Sequence, residues 1–125
     1  MAPRQDEAGF PNLALSPQAK AAASSLLPGH TIHQIAHLNN GVLGNGDSWI
    51  SNGDPSWAEV DLGDVYWVYK AALGSDSSLK YQDRGLTAFT ILVATEHSAD
   101  SAAKTWKAVA KPDGAPVHVR TEFKF

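Results

Sequence analysis

Three Asn-Gly pairs within 14 residues limit the possible folds of this chain more than any other feature: Asn40-Gly41, Asn45-Gly46 and Asn52-Gly53. Both residue types tolerate positive φ, so such pairs are typical of tight turns between strands. Short runs rich in β-branched and aromatic residues follow, separated by Gly, Asn, Asp and Pro. These candidate strands are 57–62, 65–73, 88–95, 105–110 and 117–125. The pattern predicts an all-β, antiparallel sandwich.

The segments differ in what they predict locally. Trp57–Leu62 alternates, with Trp57, Glu59 and Asp61 on one side, whereas 88–95 is apolar almost throughout and predicts a buried strand. Residues 17–26 are rich in alanine and begin with Pro17 directly after Ser16, a pattern that favours a short helix. Residues 1–11 are polar and hold two prolines, which predicts a flexible lead-in before a domain over 12–125.

Composition excludes several classes of function. The 125 residues suit about one domain and include no cysteine, so disulfides, a thiolate nucleophile and cysteine-based zinc sites are excluded. No apolar run approaches the roughly 20 residues of a membrane helix, and no signal peptide is recognisable in this chain. The net charge is −3 and no Lys/Arg run is interleaved with aromatics, so we expect no nucleic-acid partner.

Three histidines lie close together at His30, His33 and His37. On a helix they would share one face and could meet a divalent metal, while on a strand only His33 and His37 would share a face. Polar surface or the lining of a pocket is the alternative reading. The following stretch, 37–48, is dense in amide, hydroxyl and carbonyl oxygens, which a hard ion such as Ca²⁺ prefers. A plain hydrogen-bonded loop would read in the same way.

A second polar loop, 74–86, concentrates Lys80, Tyr81 and Arg84. Such side chains can form forked hydrogen bonds to vicinal hydroxyls or to a carboxylate, or they can brace the loop internally. The four tryptophans offer flat faces for a sugar ring, but a small β-domain also needs large core residues, and we predict core positions for Trp49 and Trp57. The chain has no Gly-x-Ser-x-Gly elbow and no phosphate-binding glycine loop.

Several short motifs of this sequence occur in the same order as the motifs of a known protein family. They are Asn12–Leu15 (NLAL), His37–Gly41 (HLNNG), Ser48–Ser51 (SWIS), Trp57–Gly63 (WAEVDLG), Tyr81–Arg84 (YQDR), Phe89–Ala94 (FTILVA) and Trp106. In order and spacing, residues 12–125 resemble the discoidin, or coagulation-factor type C, family, which includes the family 32 carbohydrate-binding modules. The chain departs from this pattern at Asn40, where the family has Asp. It also lacks the Cys pair of animal members, and Phe125 falls before the family's last strand and its late acidic calcium ligand.

The resemblance implies an eight-stranded, galactose-binding-like jelly roll, here without its last strand, and a first strand in place of the helix over 17–26. It also implies a structural Ca²⁺ in the first loop, with Asn40, Leu43, Asn45 and Ser48 as the ligands we expect. Ligand binding would fall to loops at one end of the sandwich. The residues expected there are His30, His33, His37, Lys80, Tyr81 and Arg84.

The function expected from this resemblance is that of a non-catalytic carbohydrate-binding module, not an enzyme, within a larger extracellular or periplasmic protein. Its partner would be a glycan that it brings to an enzyme or adhesin. Two other classes stay open: an adhesion domain of the same fold that binds protein or lipid headgroups, and a histidine-based metal-dependent hydrolase.

Overall fold

The computed structural model describes residues 11–53, 55–75, 79–80, 86–96, 100–112 and 117–125. The chain divides into two compact units, Met1–Asp64 and Val65–Phe125. Strands pair only antiparallel in the described residues, and the helices there are short 3₁₀ turns. The predicted all-β class is therefore confirmed. The segment expected to be flexible, 1–11, lies outside the described residues up to position 10.

The first unit is built on two strands, β1 (Lys20–Ala23) and β2 (Ala58–Asp61). They pair antiparallel from Lys20 opposite Asp61 to Ala23 opposite Ala58. Three 3₁₀ turns complete the unit, at Leu13–Leu15, Ile35–Asn39 and Asn45–Asp47. The turn at Ile35–Asn39 packs against both strands. Its last residue, Asn39, donates from Nδ2 to the carbonyl oxygens of Ala14 at 3.0 Å and Ala19 at 3.4 Å.

The prediction of a helix over 17–26, which follows from alanine propensity, is wrong. Lys20–Ala23 is extended, as the family resemblance implies. Helix propensity differs between residue types by less than about 1 kcal/mol each, and an isolated short helix is marginal in water. The strand gains a ladder with β2 and sets Lys20 opposite the carboxylate of Asp61. These long-range contacts outweigh the local preference.

The second unit holds four strands: β3 (Lys70–Leu73), β4 (Ile91–Val93), β5 (Lys107–Ala110) and β6 (Thr121–Lys124). β3 pairs with β6, and β4 pairs with β5 across an irregularity between Ile91 and Leu92. A 3₁₀ turn lies at Ser101–Ala103. Apolar packing is provided by Phe89, whose ring meets that of Phe123 edge-on at a centroid distance of 5.6 Å, and by buried Val117.

Each predicted strand is present, but the paired part is shorter than the β-rich run. Within 65–73 only Lys70–Leu73 is a strand, and within 88–95 only Ile91–Val93. The prediction that 88–95 is a nearly continuous buried strand is wrong, because none of its residues is fully buried and Leu92 is exposed between two half-buried neighbours. Its side chain lies on the opposite face of β4 from theirs, as alternation in a strand requires. No helix in the described part of the chain has the length and hydropathy needed to cross a membrane.

Candidate functional site

His33 is the fixed centre of the polar stretch 30–48 in the first unit. It is buried, at 4% exposure, and its Nδ1 lies 3.0 Å from the hydroxyl of Ser48. That hydroxyl donates to the carbonyl of Asn45 at 3.0 Å, so it accepts from an Nδ1–H of His33. The backbones of His33 and Ser48 also form an isolated parallel bridge. His33 therefore holds two parts of the stretch together.

The other two histidines are arranged around the same pair. Half-buried His37 donates from Nδ1 to the carbonyl of Ser48 at 3.3 Å. His30 is exposed, and its ring centre lies 5.6 Å from that of His33, tilted by 56°. The structure thus brings together the three histidines that the sequence singled out, but only His30 is exposed.

A helical metal face is not formed by these histidines. His30 and His33 precede the 3₁₀ turn that contains His37, so the spacing that would align them on a helix does not apply. Across the residues that the structure describes, no three or more His, Asp or Glu side chains are placed to hold a metal ion. The geometry instead points both Nδ1–H groups at Ser48, as in a hydrogen-bonded brace.

The loop expected to hold Ca²⁺ has oxygen donors of the right type. Asn40 accepts from the backbone N–H of Val42 at 3.0 Å and donates to Asp47 at 3.4 Å. The Oδ1 of Asn45 is buried and lacks a hydrogen-bond partner within the described structure. An unsatisfied buried oxygen costs about 1–3 kcal/mol, which a bound cation would offset. Amide, carbonyl and carboxylate oxygens are the donor types that a hard cation prefers, and Asp47 would contribute the formal charge.

The four residues expected as Ca²⁺ ligands differ in how their oxygens are used. The Ser48 hydroxyl and the Asn40 amide oxygen take part in hydrogen bonds of the loop itself. Leu43 has an exposed apolar side chain, so only its backbone carbonyl oxygen could bind a cation. In the second loop, Tyr81 and Arg84 lie outside the described residues, and Lys80 is exposed in the second unit. The ligand-binding role expected for that loop stays a prediction.

The prediction that Trp57 lies in the core is wrong, because the residue is 46% exposed. Its backbone is held from both sides by Ser24: the Trp57 N–H donates to Ser24 Oγ at 3.0 Å, and the Ser24 N–H donates to the Trp57 carbonyl at 2.9 Å. The indole therefore projects from a fixed point at the start of β2. The alternation of 57–62 does not account for this exposure, because Glu59 and Asp61, which it groups with Trp57, are half-buried.

Trp49 was also predicted in the core, and it is half-buried and not fully buried. Its indole N–H donates to the carbonyl of Ser25 at 2.8 Å. Trp106 makes the same type of contact in the second unit, from Nε1 to the Ser101 carbonyl at 2.9 Å, and the ammonium of Lys104 lies 5.6 Å from the ring centre. The indole N–H groups of Trp49 and Trp106 are thus used in hydrogen bonds to the backbone, which gives these two residues a structural role.

The two units carry opposite charge. Residues 1–64 contain two basic and seven acidic groups, a net −5, while residues 65–125 contain eight and six, a net +2. In the second unit the hydrogen bond from Lys70, at 2.7 Å, lowers the pKa of Glu122 below its usual value, with a smaller contribution from Arg120. Backbone hydrogen bonding and Thr105 lower the pKa of Glu96 likewise.

Compared with known proteins, the chain matches no protein-family model, no curated protein and no solved structure. The family resemblance therefore depends only on the order and spacing of the sequence motifs.

Proposed function

We propose that the chain is a non-catalytic carbohydrate-binding module of the discoidin type, with a jelly-roll sandwich fold. The observation that carries this proposal is Trp57, a half-exposed indole whose backbone is fixed on both sides by Ser24. A flat aromatic face offers apolar area to a pyranose ring, while the polar edge serves hydroxyls. Because the backbone is already ordered, little conformational entropy is lost on binding.

Polar side chains supply the rest of the proposed recognition. Exposed His30 stands beside a fixed His33, and half-buried His37 is oriented by the Ser48 carbonyl. With Nδ1–H committed to Ser48, the neutral His37 ring keeps Nε2 as an acceptor for a sugar hydroxyl. The expectation that Lys80, Tyr81 and Arg84 bind a ligand concerns the second unit by itself and stays a prediction. The module would act within a larger extracellular protein and hold it on a glycan.

A structural Ca²⁺ in loop 40–48 is part of this proposal. The orphaned Oδ1 of Asn45 supports it, since an oxygen-rich loop that buries an unsatisfied acceptor gains by binding a hard cation. Ca²⁺ at a hundred times its Kd would add about 2.7 kcal/mol to the free energy of unfolding. The Tm should then rise by about 10 °C and return on adding a chelator.

The variant Asn45→Ala should lose this Ca²⁺-dependent rise, while Asn52→Ala, at an exposed Asn-Gly turn outside the loop, should keep it. Mg²⁺ at the same concentration controls for ionic strength. A Tm that responds to neither Ca²⁺ nor chelator would remove the ion from the proposal but leave the glycan site untouched.

Glycan binding is tested with the whole chain by affinity electrophoresis in gels that contain soluble polysaccharides, followed by titration calorimetry on any that retard it. Trp57→Ala should abolish retardation, and Trp57→Phe should weaken binding by roughly tenfold, because a smaller ring remains. Val42→Ala, another exposed apolar position of the first unit, should bind as the wild type does. Retardation that is equal for Trp57→Ala and wild type would contradict the proposal, as would binding to lipid vesicles alone.

A further inference from the structure

The second unit begins with an exposed aromatic segment, residues 65–69 (VYWVY). All five side chains are exposed, and the indole of Trp67 is 102% exposed, as open as in an isolated residue. All five residues are valine or aromatic, so the exposed surface of this segment is largely apolar. An exposed apolar stretch of this kind is typical of an interaction surface.

The sequence around Trp67 is complementary to itself when reversed. If two copies of 64–70 (DVYWVYK) lie antiparallel with Trp67 opposite Trp67, Asp64 of each copy faces Lys70 of the other. Each Val then faces a Tyr, and the two indoles meet at the centre. Aromatic pairs with β-branched residues and opposite charges are the cross-strand neighbours that stabilise antiparallel association.

We propose that this segment is the contact through which two copies of the chain associate, antiparallel about a two-fold axis at Trp67. A second copy fits the segment better than an unrelated partner, because the alignment places opposite charges at both ends and a Val–Tyr pair at each position between the ends and the central indoles. A two-fold contact is closed, so it yields a dimer and not a filament.

Lys70 has to change its partner for this role. It lies in β3, its ammonium is 5.7 Å from the centre of the Tyr69 ring, and its side chain, 12% exposed, contacts Glu122 at 2.7 Å. Arg120 also reaches Glu122, at 3.5 Å, so Glu122 keeps a cation when Lys70 turns toward a second copy. Pairing with Asp64 of that copy therefore replaces a contact within the chain by one between chains.

The dimer should be weak. An aromatic side chain buries on the order of 200 Å², and specific interfaces begin near about 1,000 Å² in total. Five residues from each copy, of which only Trp67 is open over its whole surface, reach about this lower limit. We expect a monomer–dimer equilibrium at micromolar concentrations.

Sedimentation velocity of the full chain over a concentration series measures this equilibrium. The wild type should shift from monomer to dimer, and Trp67→Ser should remain monomeric at concentrations at least thirtyfold higher. This substitution removes no packing, because Trp67 is wholly exposed. Val119→Ser, at another exposed apolar position of the second unit, should dimerise as the wild type does. A wild type that stays monomeric, or a dimer that survives Trp67→Ser, overturns the proposal.

Charge reversal tests the antiparallel alignment itself. Asp64→Lys should weaken the dimer at least tenfold at low salt, with recovery at high salt as the like charges are screened. Lys70→Asp should do the same, and a mixture of the two variants should form a heterodimer in which every charge is again paired. If Lys70→Asp fails to fold without its contact to Glu122, the salt response of Asp64→Lys decides alone. No effect of Asp64→Lys at any salt concentration overturns the alignment.

Discussion

The three histidines of the first unit show how neighbouring residues of one type take different roles. His33 is buried and hydrogen-bonded to Ser48, whereas His30 is exposed, with its ring centre 5.6 Å from that of His33. Sequence spacing treats the two alike, because it does not contain the position of Ser48, 15 residues further along the chain. Their roles follow from which one the loop covers.

This difference predicts unequal effects on stability. His33→Ala should lower the free energy of unfolding by about 1–3 kcal/mol, since it removes a buried ring and its bond to Ser48. His30→Ala, which removes the same ring from an exposed position, should change it by no more than about 0.5 kcal/mol. Urea denaturation followed by tryptophan fluorescence measures both. Equal losses in the two variants would show that His33 is not the brace of this stretch.

The exposure of single residues did not follow from local alternation. In 57–62 the pattern groups Trp57 with Glu59 and Asp61, yet Trp57 is exposed and the two acidic residues are half-buried. The burial of His33 could not be predicted from its neighbours in the sequence either. It depends on a long-range contact between two turn-rich segments.

At the scale of elements, the residue pattern located β2 to β6 but not their ends, and it favoured a helix where β1 lies. Turn residues mark where a strand must stop, whereas the extent of pairing depends on the partner strand, which propensity does not contain. Lys70–Leu73 illustrates this, because it is only as long as its ladder with Thr121–Lys124. β1 shows the same effect more strongly, since pairing with β2 overrides the helix preference of its alanines.

The turn after β2 depends on Gly63, which has a φ of +84° and whose N–H donates to Asp61 Oδ1 at 2.9 Å. A Cβ there would lie 3.0 Å from Cγ of Gln18. Gly63→Ala should therefore lower the free energy of unfolding by about 1–2 kcal/mol, mainly because a side chain disfavours positive φ. Its matched control is Gly46→Ala, which has neither positive φ nor a neighbour near the added methyl group. Urea denaturation that shows equal stability for the two variants would contradict this account of the turn.

At the scale of the whole molecule, the two proposals fall in different units. Trp57 and the histidine stretch belong to the first, which is acidic overall, and the segment around Trp67 belongs to the second, which is basic overall. The all-β class followed from turn chemistry in the sequence. The jelly roll and the glycan site follow from motif order and from one exposed indole, and they remain proposals.

The claim that Trp57 binds the glycan is tested most directly by NMR of the ¹⁵N-labelled chain. The chain has four indole N–H signals, and the variants Trp57→Phe and Trp67→Phe assign two of them. Titration with a polysaccharide that retards the chain in a gel should move the Trp57 signal saturably. The Trp49 and Trp106 signals should stay in place, because both N–H groups are bonded to backbone carbonyls. The Trp67 signal should respond to protein concentration and not to the glycan. If the Trp57 signal stays in place while the polysaccharide binds, Trp57 is not the platform and the proposed mode of recognition is wrong.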